Sequence, residues 1–350
     1  MKAVIHIGQS KAGSTSLQKF LQINSQALAA EGVHYNRNPE GNSSNVELLL
    51  AAFLHSETQL KKGATRQQVQ PYRPVQVPEK VAACEQALTE LVATHPDGTF
   101  VASCEQLFLW LSSPEQVQAL DDFLHRYFSD VQYYCYLRRQ EDWIASRYAQ
   151  YLRSGGTFKL NRYVQNQLET VSIEKDLERW ETVVGRGNLH VRLLESDYLL
   201  DRDLATDFLS CIGLENTGYQ SPSSLNESFT PPVAEFARLV NLSNKSEPSK
   251  DHETTRRQMM KVLTQLSQGQ SKLRLSAEQT ATVRSSYEAS NERIRARYFP
   301  ERAELFPPKP TSTDTSDPSV SRREMGDIAL HATSLLMSGN RNRKAKASPS

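Results

Sequence analysis

The sequence predicts an α/β protein in which helices cover both faces of a central parallel sheet. Short β-forming runs alternate with helical patterns along the chain, an order that is typical of parallel sheets. The first run, residues 3–7, is nearly all apolar and stops at a glycine-rich loop. Gly8, Glu105 and Arg138 each follow the carboxyl end of a predicted strand, which is where such sheets bind their ligands.

The elements are predicted in order from apolar spacing and from helix start and stop signals. Leu17 and Phe20 recur at helical spacing after the first strand, and Gly32 ends that helix. Ser113 and Pro114 form a helix start, with a capping residue and a first-turn proline. The other predicted elements are strand 33–35, helix 45–55, an irregular excursion over 71–78, helix 79–94, strand 99–104, a helix from 114, strand 131–137, helix 142–153, strand 189–194, a helix from about 201 and a mostly helical part from 231 onward.

Composition separates one long folded region from a polar tail. Residues 1–307 are long enough to bury a sizeable core and are predicted to form one domain, whose long last helix covers 276–298. Residues 308–350 are rich in Pro, Ser, Thr, Asp, Arg and Lys, which is typical of a disordered tail. Within this tail a short helix is predicted near 325–337.

Charge, cysteine content and hydropathy limit the classes of protein. The net charge of +1 points to neither nucleic acid nor a membrane as a partner. The four cysteines lie far apart in apolar patterns, without the paired spacing of a zinc or redox site, and are expected to be free thiols. No run approaches about 18 apolar residues, and the first strand is too short for the apolar part of a signal peptide. We therefore expect no integral membrane segment and a cytoplasmic location.

Residues 8–16, Gly-Gln-Ser-Lys-Ala-Gly-Ser-Thr-Ser, have the composition of a phosphate-binding loop. Gly8 and Gly13 let backbone N–H groups converge on an anion, and the following helix N-terminus adds partial positive charge. Lys11 supplies a full charge, and hydroxyl groups follow at the same end of the loop. The predicted anion-binding residues are Lys11, Ala12, Gly13, Ser14, Thr15 and Ser16.

The order of residues in this loop indicates which anion it binds. Gly8 and Gly13 have the spacing of the nucleoside-triphosphatase P-loop, but Ser14 stands where that loop has its lysine. With Lys11 ahead of Gly13, the segment resembles instead the 5′-phosphosulfate loop of sulfotransferases, which bind 3′-phosphoadenosine 5′-phosphosulfate (PAPS). The resemblance implies a P-loop-like three-layer sandwich with a helical C-terminal part. The family commonly has threonine where this chain has Ala12.

A second stretch resembles the 3′-phosphate motif of the same family. Arg138 follows the strand 131–137, and Ser146 lies eight positions later, which is the separation that the motif has. A guanidinium makes a forked contact to a phosphate, and a serine hydroxyl in the next helix can approach the same group. Arg139 is the alternative if the strand register shifts by one. The resemblance extends over about residues 1–307 and implies that both motifs hold one nucleotide.

The resemblance also implies a reaction: the sulfuryl group of PAPS moves to an acceptor hydroxyl, leaving 3′-phosphoadenosine 5′-phosphate (PAP), and no metal is required. Lys11 is predicted to neutralise the bridging oxygen as its bond breaks. Glu105 is the first candidate for the general base, because cytosolic enzymes of the family present a histidine at the end of this strand. His34 is the second candidate, near the place where heparan-type enzymes have a glutamate, although that position corresponds to Gly32. His6, inside the first strand, is expected to be a core histidine.

The acceptor is predicted only by its chemistry, because acceptor pockets vary independently of the nucleotide site. A hydroxyl-bearing carbohydrate, glycolipid or small metabolite fits the family. Arg147, Tyr148 and Tyr151 could line an acceptor cleft, or the tyrosines could serve only for packing. Two other functions stay open: a P-loop nucleotide kinase, and a non-catalytic scaffold on a degenerate sulfotransferase fold whose basic tail, 341–346, contacts a partner or a membrane.

Overall fold

The computed structural model confirms the predicted α/β class and describes most of the chain. The described residues are 1–35, 44–58, 76–222, 228–246, 250–309 and 323–334. Two compact units are formed by interleaved segments of the chain. The first unit contains Met1–Arg138, Ser172–Ser224 and Arg293–Glu301, and the second contains Arg139–Val171, Leu225–Glu292 and Arg302–Ser350. The predicted boundary at residue 307 stays a prediction.

The first unit contains a five-stranded sheet in which every pairing is parallel. Its strands are β1 (Lys2–Gly8), β2 (Val33–Tyr35), β3 (Thr99–Ser103), β4 (Asp130–Leu137) and β5 (Leu189–Leu193). Their order across the sheet is β2-β3-β1-β4-β5, so β1 is central. The consecutive strands β3 and β4 lie on opposite sides of β1, and such a switch point is where open parallel sheets leave a crevice for a ligand.

Most helices follow the predicted alternation, but those over 107–110, 160–170 and 173–184 were not predicted. In chain order the helices are α1 (Ser14–Ile23), α2 (Ser25–Ala30), α3 (Val46–His55), α4 (Val77–Thr94), α5 (Leu107–Trp110), α6 (Pro114–His125), α7 (Gln140–Arg153), α8 (Leu160–Thr170), α9 (Ile173–Val184), α10 (Leu204–Cys211), α11 (Pro231–Ser246), α12 (Lys250–Leu266) and α13 (Ala277–Tyr298). A further helix, α14, covers 323–334 inside the predicted tail. Part of the expected irregular excursion, residues 71–75, lies outside the described residues.

Side chains on the two faces of the sheet are buried by different helices. On one face, Val4 of β1 belongs to an apolar cluster with Leu17 of α1 and Phe208 of α10. On the other face, Tyr133 of β4 contacts the ring of Trp180 in α9 and donates a hydrogen bond to Asp121 in α6. Successive strand residues point to opposite faces, so helices cover both. The first unit therefore has the predicted three layers.

The predicted first helix is divided into α1 and α2 at Asn24. The backbone N–H and the side-chain Nδ2 of Asn24 both donate to Phe20 O. The same side chain pairs with the backbone of Gln220, since Nδ2 donates to its carbonyl and Oδ1 accepts from its N–H. A partner almost 200 residues away in sequence thus sets the break, which local spacing did not indicate.

The second unit is helical. Asn241 of α11 donates to the carbonyl group of Leu152 in the last turn of α7 at 2.7 Å and to that of Gly156, beyond the end of α7, at 2.8 Å. Arg256 of α12 donates to Arg153 O at 2.8 Å. The bonds to Leu152 and Arg153 satisfy carbonyls at the end of α7 that have no partner within the helix. All four cysteines are free, as predicted, and no described helix has both the length and the apolarity needed to cross a membrane.

Candidate functional site

The loop between β1 and α1 contains a tight turn that ends at the N-terminus of α1. Ala12 N–H donates to Gln9 O at 3.1 Å and closes the turn. Lys11 lies in the left-handed region with φ 67°, and so does Gly13 with φ 85°. Gly13 is the N-cap of α1, and no side chain bonds the first N–H groups from that position. The N-terminal turn of α1 therefore presents partial positive charge beside Lys11.

Close packing explains the first glycine of the loop. Gly8 has φ 121°, and a Cβ atom placed on it would lie 2.8 Å from the backbone oxygen of Glu105. Neither the backbone conformation nor the space suits another residue. The close approach also places the backbone of Glu105 directly against the loop.

The predicted loop residues differ in what they can offer an anion. Ala12 is fully buried in the apolar cluster with α1 and α10, so its methyl group anchors the loop and its N–H is already used within the turn. Ser14 is buried, with its hydroxyl 3.5 Å from Gln9 O. Thr15 and Ser16 are exposed, and Lys11 is half-buried. Ala12 thus packs the loop against the apolar cluster, and the part of each of these residues in anion binding stays a prediction.

Arg138 joins the carboxyl end of β4 to the loop. Its guanidinium Nη1 donates to Lys11 O at 3.0 Å, and its backbone N–H donates to Gln9 Oε1 at 3.1 Å. The backbone N–H of Gln9 in turn donates to Tyr136 O at 3.1 Å. These three bonds connect the two stretches that the sequence singled out as anion motifs. Sequence reasoning did not find Gln9, because a glutamine between a glycine and a lysine carries no signal by itself.

Arg139, the alternative to Arg138, is engaged inside the second unit. It is buried, its Nη1 donates to Pro307 O at 2.6 Å, and its guanidinium lies over the ring of Phe306. Arg138 is the arginine that contacts the loop, and the choice between the two arginines for the 3′-phosphate stays a prediction. Ser146 lies half-buried on α7 in the second unit, and its part in a phosphate site stays a prediction from spacing.

The two candidate bases lie at different levels of the sheet. Glu105 follows β3, is half-buried and has its backbone against Gly8. His34 pairs with Phe100 of β3, which pairs with Ala3 of β1. Ala3 precedes Gly8 by five residues, or about 16 Å along a strand. The structure therefore brings Glu105 to the loop and does not bring His34 there.

The surroundings of His34 are those of a surface ring pair. Its imidazole stacks on that of His95, with ring centroids 4.0 Å apart. Partial burial and then the nearby His95 lower the pKa of His34. The neutral ring is favoured, but no contact links it to the loop.

A buried cluster of polar side chains surrounds Ser103 at the end of β3. Ser103 Oγ lies 2.8 Å from His6 Nδ1 and accepts a hydrogen bond from Gln18 Nε2 at 3.2 Å. The backbone of Ser103 exchanges two further bonds with Asn45. Burial lowers the pKa of His6 to about 4, so this imidazole is neutral at physiological pH. As the sequence predicted, His6 is a core residue.

The tyrosines of α7 use their hydroxyls inside the second unit. Tyr148 donates to Phe158 O at 2.9 Å, and the Tyr151 hydroxyl accepts from the N–H groups of Thr157 and Phe158 at 3.1 Å. Arg147 lies over the ring of Trp143. These contacts favour packing over an acceptor cleft. Across the part of the chain that the structure describes, no three His, Cys, Asp or Glu side chains form a group suited to a metal ion.

Comparisons with known proteins give little beyond this geometry. No protein-family model matches the chain, and no curated protein matches it. A solved structure that does match is a sulfotransferase from Alicyclobacillus acidocaldarius, with 15% sequence identity and a TM-score of 0.41. The match covers 69% of this chain and 92% of that chain. A likeness at this identity and TM-score assigns neither an activity nor a substrate.

Proposed function

We propose that this protein is a PAPS-dependent sulfotransferase that transfers a sulfuryl group to an acceptor hydroxyl. The observation that carries the proposal is the bond from the Arg138 guanidinium to Lys11 O. This bond joins the two predicted anion motifs at the carboxyl ends of the neighbouring strands β1 and β4. PAPS has anionic groups at both ends of its nucleotide. The bond holds the Arg138 guanidinium against the backbone of Lys11, and two cationic residues that are neighbours in this way suit such a ligand.

The 5′ end of the nucleotide is assigned to the loop. Lys11, the left-handed turn and the N-terminus of α1 combine a full charge with backbone donors, as anion sites require. The close approach of Gly8 to Glu105 leaves no room for a side chain at position 8. These features fit a phosphosulfate group.

The 3′-phosphate is assigned to Arg138, with Ser146 as the partner that the motif spacing predicts. Guanidinium N–H groups can bind two oxygens of one phosphate in parallel. Arg138 is also held by its own backbone bond to Gln9, so its position is defined before a ligand arrives. A preorganised donor of this kind loses less freedom on binding.

In the proposed reaction PAPS supplies an activated sulfuryl group. Lys11 stabilises the negative charge that grows on the bridging oxygen as the bond between sulfur and that oxygen breaks. Glu105 accepts the proton of the acceptor hydroxyl while the oxygen of that hydroxyl forms the new bond to sulfur. PAP and the sulfated acceptor are the products. Glu105 is preferred to His34 as the base because only Glu105 lies against the loop.

The acceptor is proposed as a carbohydrate, a glycolipid or a small metabolite with a free hydroxyl. The kinase alternative is disfavoured by the buried Ser14, which occupies the position of the P-loop lysine. The scaffold alternative keeps the fold without nucleotide binding.

Calorimetric titration tests the proposal. PAP and ATP with magnesium are each titrated into the wild-type protein and into Arg138→Ala. We expect PAP to bind with micromolar affinity without a metal and to bind at least tenfold more weakly to the variant. Preference for ATP with magnesium would indicate a kinase. Binding of neither nucleotide would indicate the scaffold.

A further inference from the structure

Only one of the two polar atoms in the side-chain amide of Gln9 has a hydrogen-bond partner among the described residues. Gln9 is fully buried within the loop, and its Oε1 accepts from the backbone N–H of Arg138. Its Nε2 is also buried and has no hydrogen-bond acceptor among the described residues. The backbone of Gln9 has its partners, since its N–H donates to Tyr136 O and its carbonyl accepts from Ala12. The unmet donor is therefore confined to one NH₂ group.

The orientation of this amide follows from its partner. The oxygen and nitrogen of a glutamine amide can be exchanged by rotation, but a backbone N–H can only donate. The atom that faces Arg138 must be the acceptor, so the NH₂ group occupies the other position of the amide. Oε1 and Nε2 share one carbon atom, which places the donor beside the junction of Arg138 with the loop.

A buried N–H donor without an acceptor is unfavourable, and most such groups in native proteins have a partner. We propose that Gln9 is a nucleotide-binding residue whose Nε2 donates to an anionic oxygen at the 5′ end of PAPS or PAP. This inference rests on the proposed function and adds to it a ligand contact in the loop. The amide would contribute a directional hydrogen bond beside the charge of Lys11.

Gln18 provides a matched control. It is a second buried glutamine in the same unit, and its Nε2 already donates to Ser103 Oγ. Substitution of either residue by methionine keeps the length of the side chain and removes both polar atoms. Only Gln9→Met removes the donor that lacks a protein partner.

The test compares PAP with adenosine 3′-monophosphate, which lacks the 5′ group, in calorimetric titrations. For Gln9→Met we expect PAP to bind about tenfold to a hundredfold more weakly and adenosine 3′-monophosphate to be weakened by a clearly smaller factor, because the lost support of Arg138 affects both nucleotides and the lost Nε2 donor affects PAP alone. For Gln18→Met we expect both affinities to stay within about threefold of wild type.

Equal weakening of both nucleotides in Gln9→Met would overturn the proposal, because Gln9 would then only hold Arg138 in place. Unchanged PAP affinity would overturn it as well, while leaving the proposed function intact. Failure of the wild-type protein to bind PAP would overturn both.

A measurement on the wild-type protein covers the case in which Gln9→Met does not fold. We expect PAP to shift the side-chain NH₂ resonance of Gln9 in a ¹⁵N spectrum and adenosine 3′-monophosphate to leave it in place. The resonance is assigned by its loss in Gln9→Glu, which keeps an acceptor for Arg138 N–H. A Gln9 resonance that PAP does not move would contradict the proposal.

Discussion

Substitution of Gly8 by alanine tests the close packing on which the site depends. A side chain at φ 121° adopts a strained backbone conformation, which costs about 1–3 kcal/mol. Its Cβ would also lie 2.8 Å from the backbone oxygen of Glu105, and overpacking of this kind costs about 1–3 kcal/mol. We therefore expect Gly8→Ala to lower the free energy of unfolding by about 2–6 kcal/mol.

Gly213→Ala is the matched control, because Gly213 has φ 80° and nothing lies within 4 Å of its Cβ position. It should lose only about 1–2 kcal/mol, from backbone conformation alone. Both losses in the free energy of unfolding are measured by urea denaturation followed by circular dichroism. The comparison requires that the two variants have the same m-value. Equal destabilisation by the two substitutions would refute the packing of Gly8 against Glu105.

Three further substitutions, one of them with a matched control, test other parts of the account. Lys11→Met should slow sulfuryl transfer by about a hundredfold or more, because about 3 kcal/mol of transition-state stabilisation is lost, as measured by PAP release at saturating PAPS. Arg192→Met should lower the free energy of unfolding by about 3–5 kcal/mol, since it leaves the fully buried Asp207 without its ion pair. Arg257→Met, which removes an exposed ion pair, should cost about 0.5 kcal/mol. His6→Asn should flatten the acid side of the stability profile, because the folded pKa of His6 is about 4 and its ordinary value is 6.5.

The sign of the His6 effect follows from proton binding. Between pH 4 and 6.5 the unfolded chain binds more protons at His6 than the folded chain does. The free energy of unfolding therefore falls as the pH is lowered through this range, by up to about 3 kcal/mol from His6. An identical pH profile for wild type and His6→Asn would contradict the buried neutral imidazole. For Arg192→Met, a loss no larger than that of Arg257→Met would contradict the buried ion pair.

Local patterns predicted the elements that local chemistry determines. The apolar run of β1 and the loop that follows it depend on neighbouring residues, and Pro114 begins α6 as its position indicates. The break at Asn24 depends on Gln220, which no local window contains. The division into two interleaved units likewise depends on contacts between distant segments.

The candidate site likewise combines features that the local sequence predicts with features that depend on distant contacts. The sequence predicted that Arg138 follows the carboxyl end of β4, because the length of that strand alone sets the position of the next residue. The bond from Arg138 to Lys11 O and the bond to Gln9 Oε1 depend on how β1 and β4 are paired, which spacing does not specify. For His34 the strand was predicted correctly. Its distance from the loop follows from the register of β2 with β3, which the sequence does not specify.

A crystal structure of the protein with PAP tests the central claim most directly, because it locates both phosphates. The account predicts the 5′-phosphate at the N-terminus of α1 beside Lys11 and Gln9, with the 3′-phosphate against the Arg138 guanidinium. A nucleotide bound away from this edge of the sheet, or bound with its two phosphates exchanged, would contradict it.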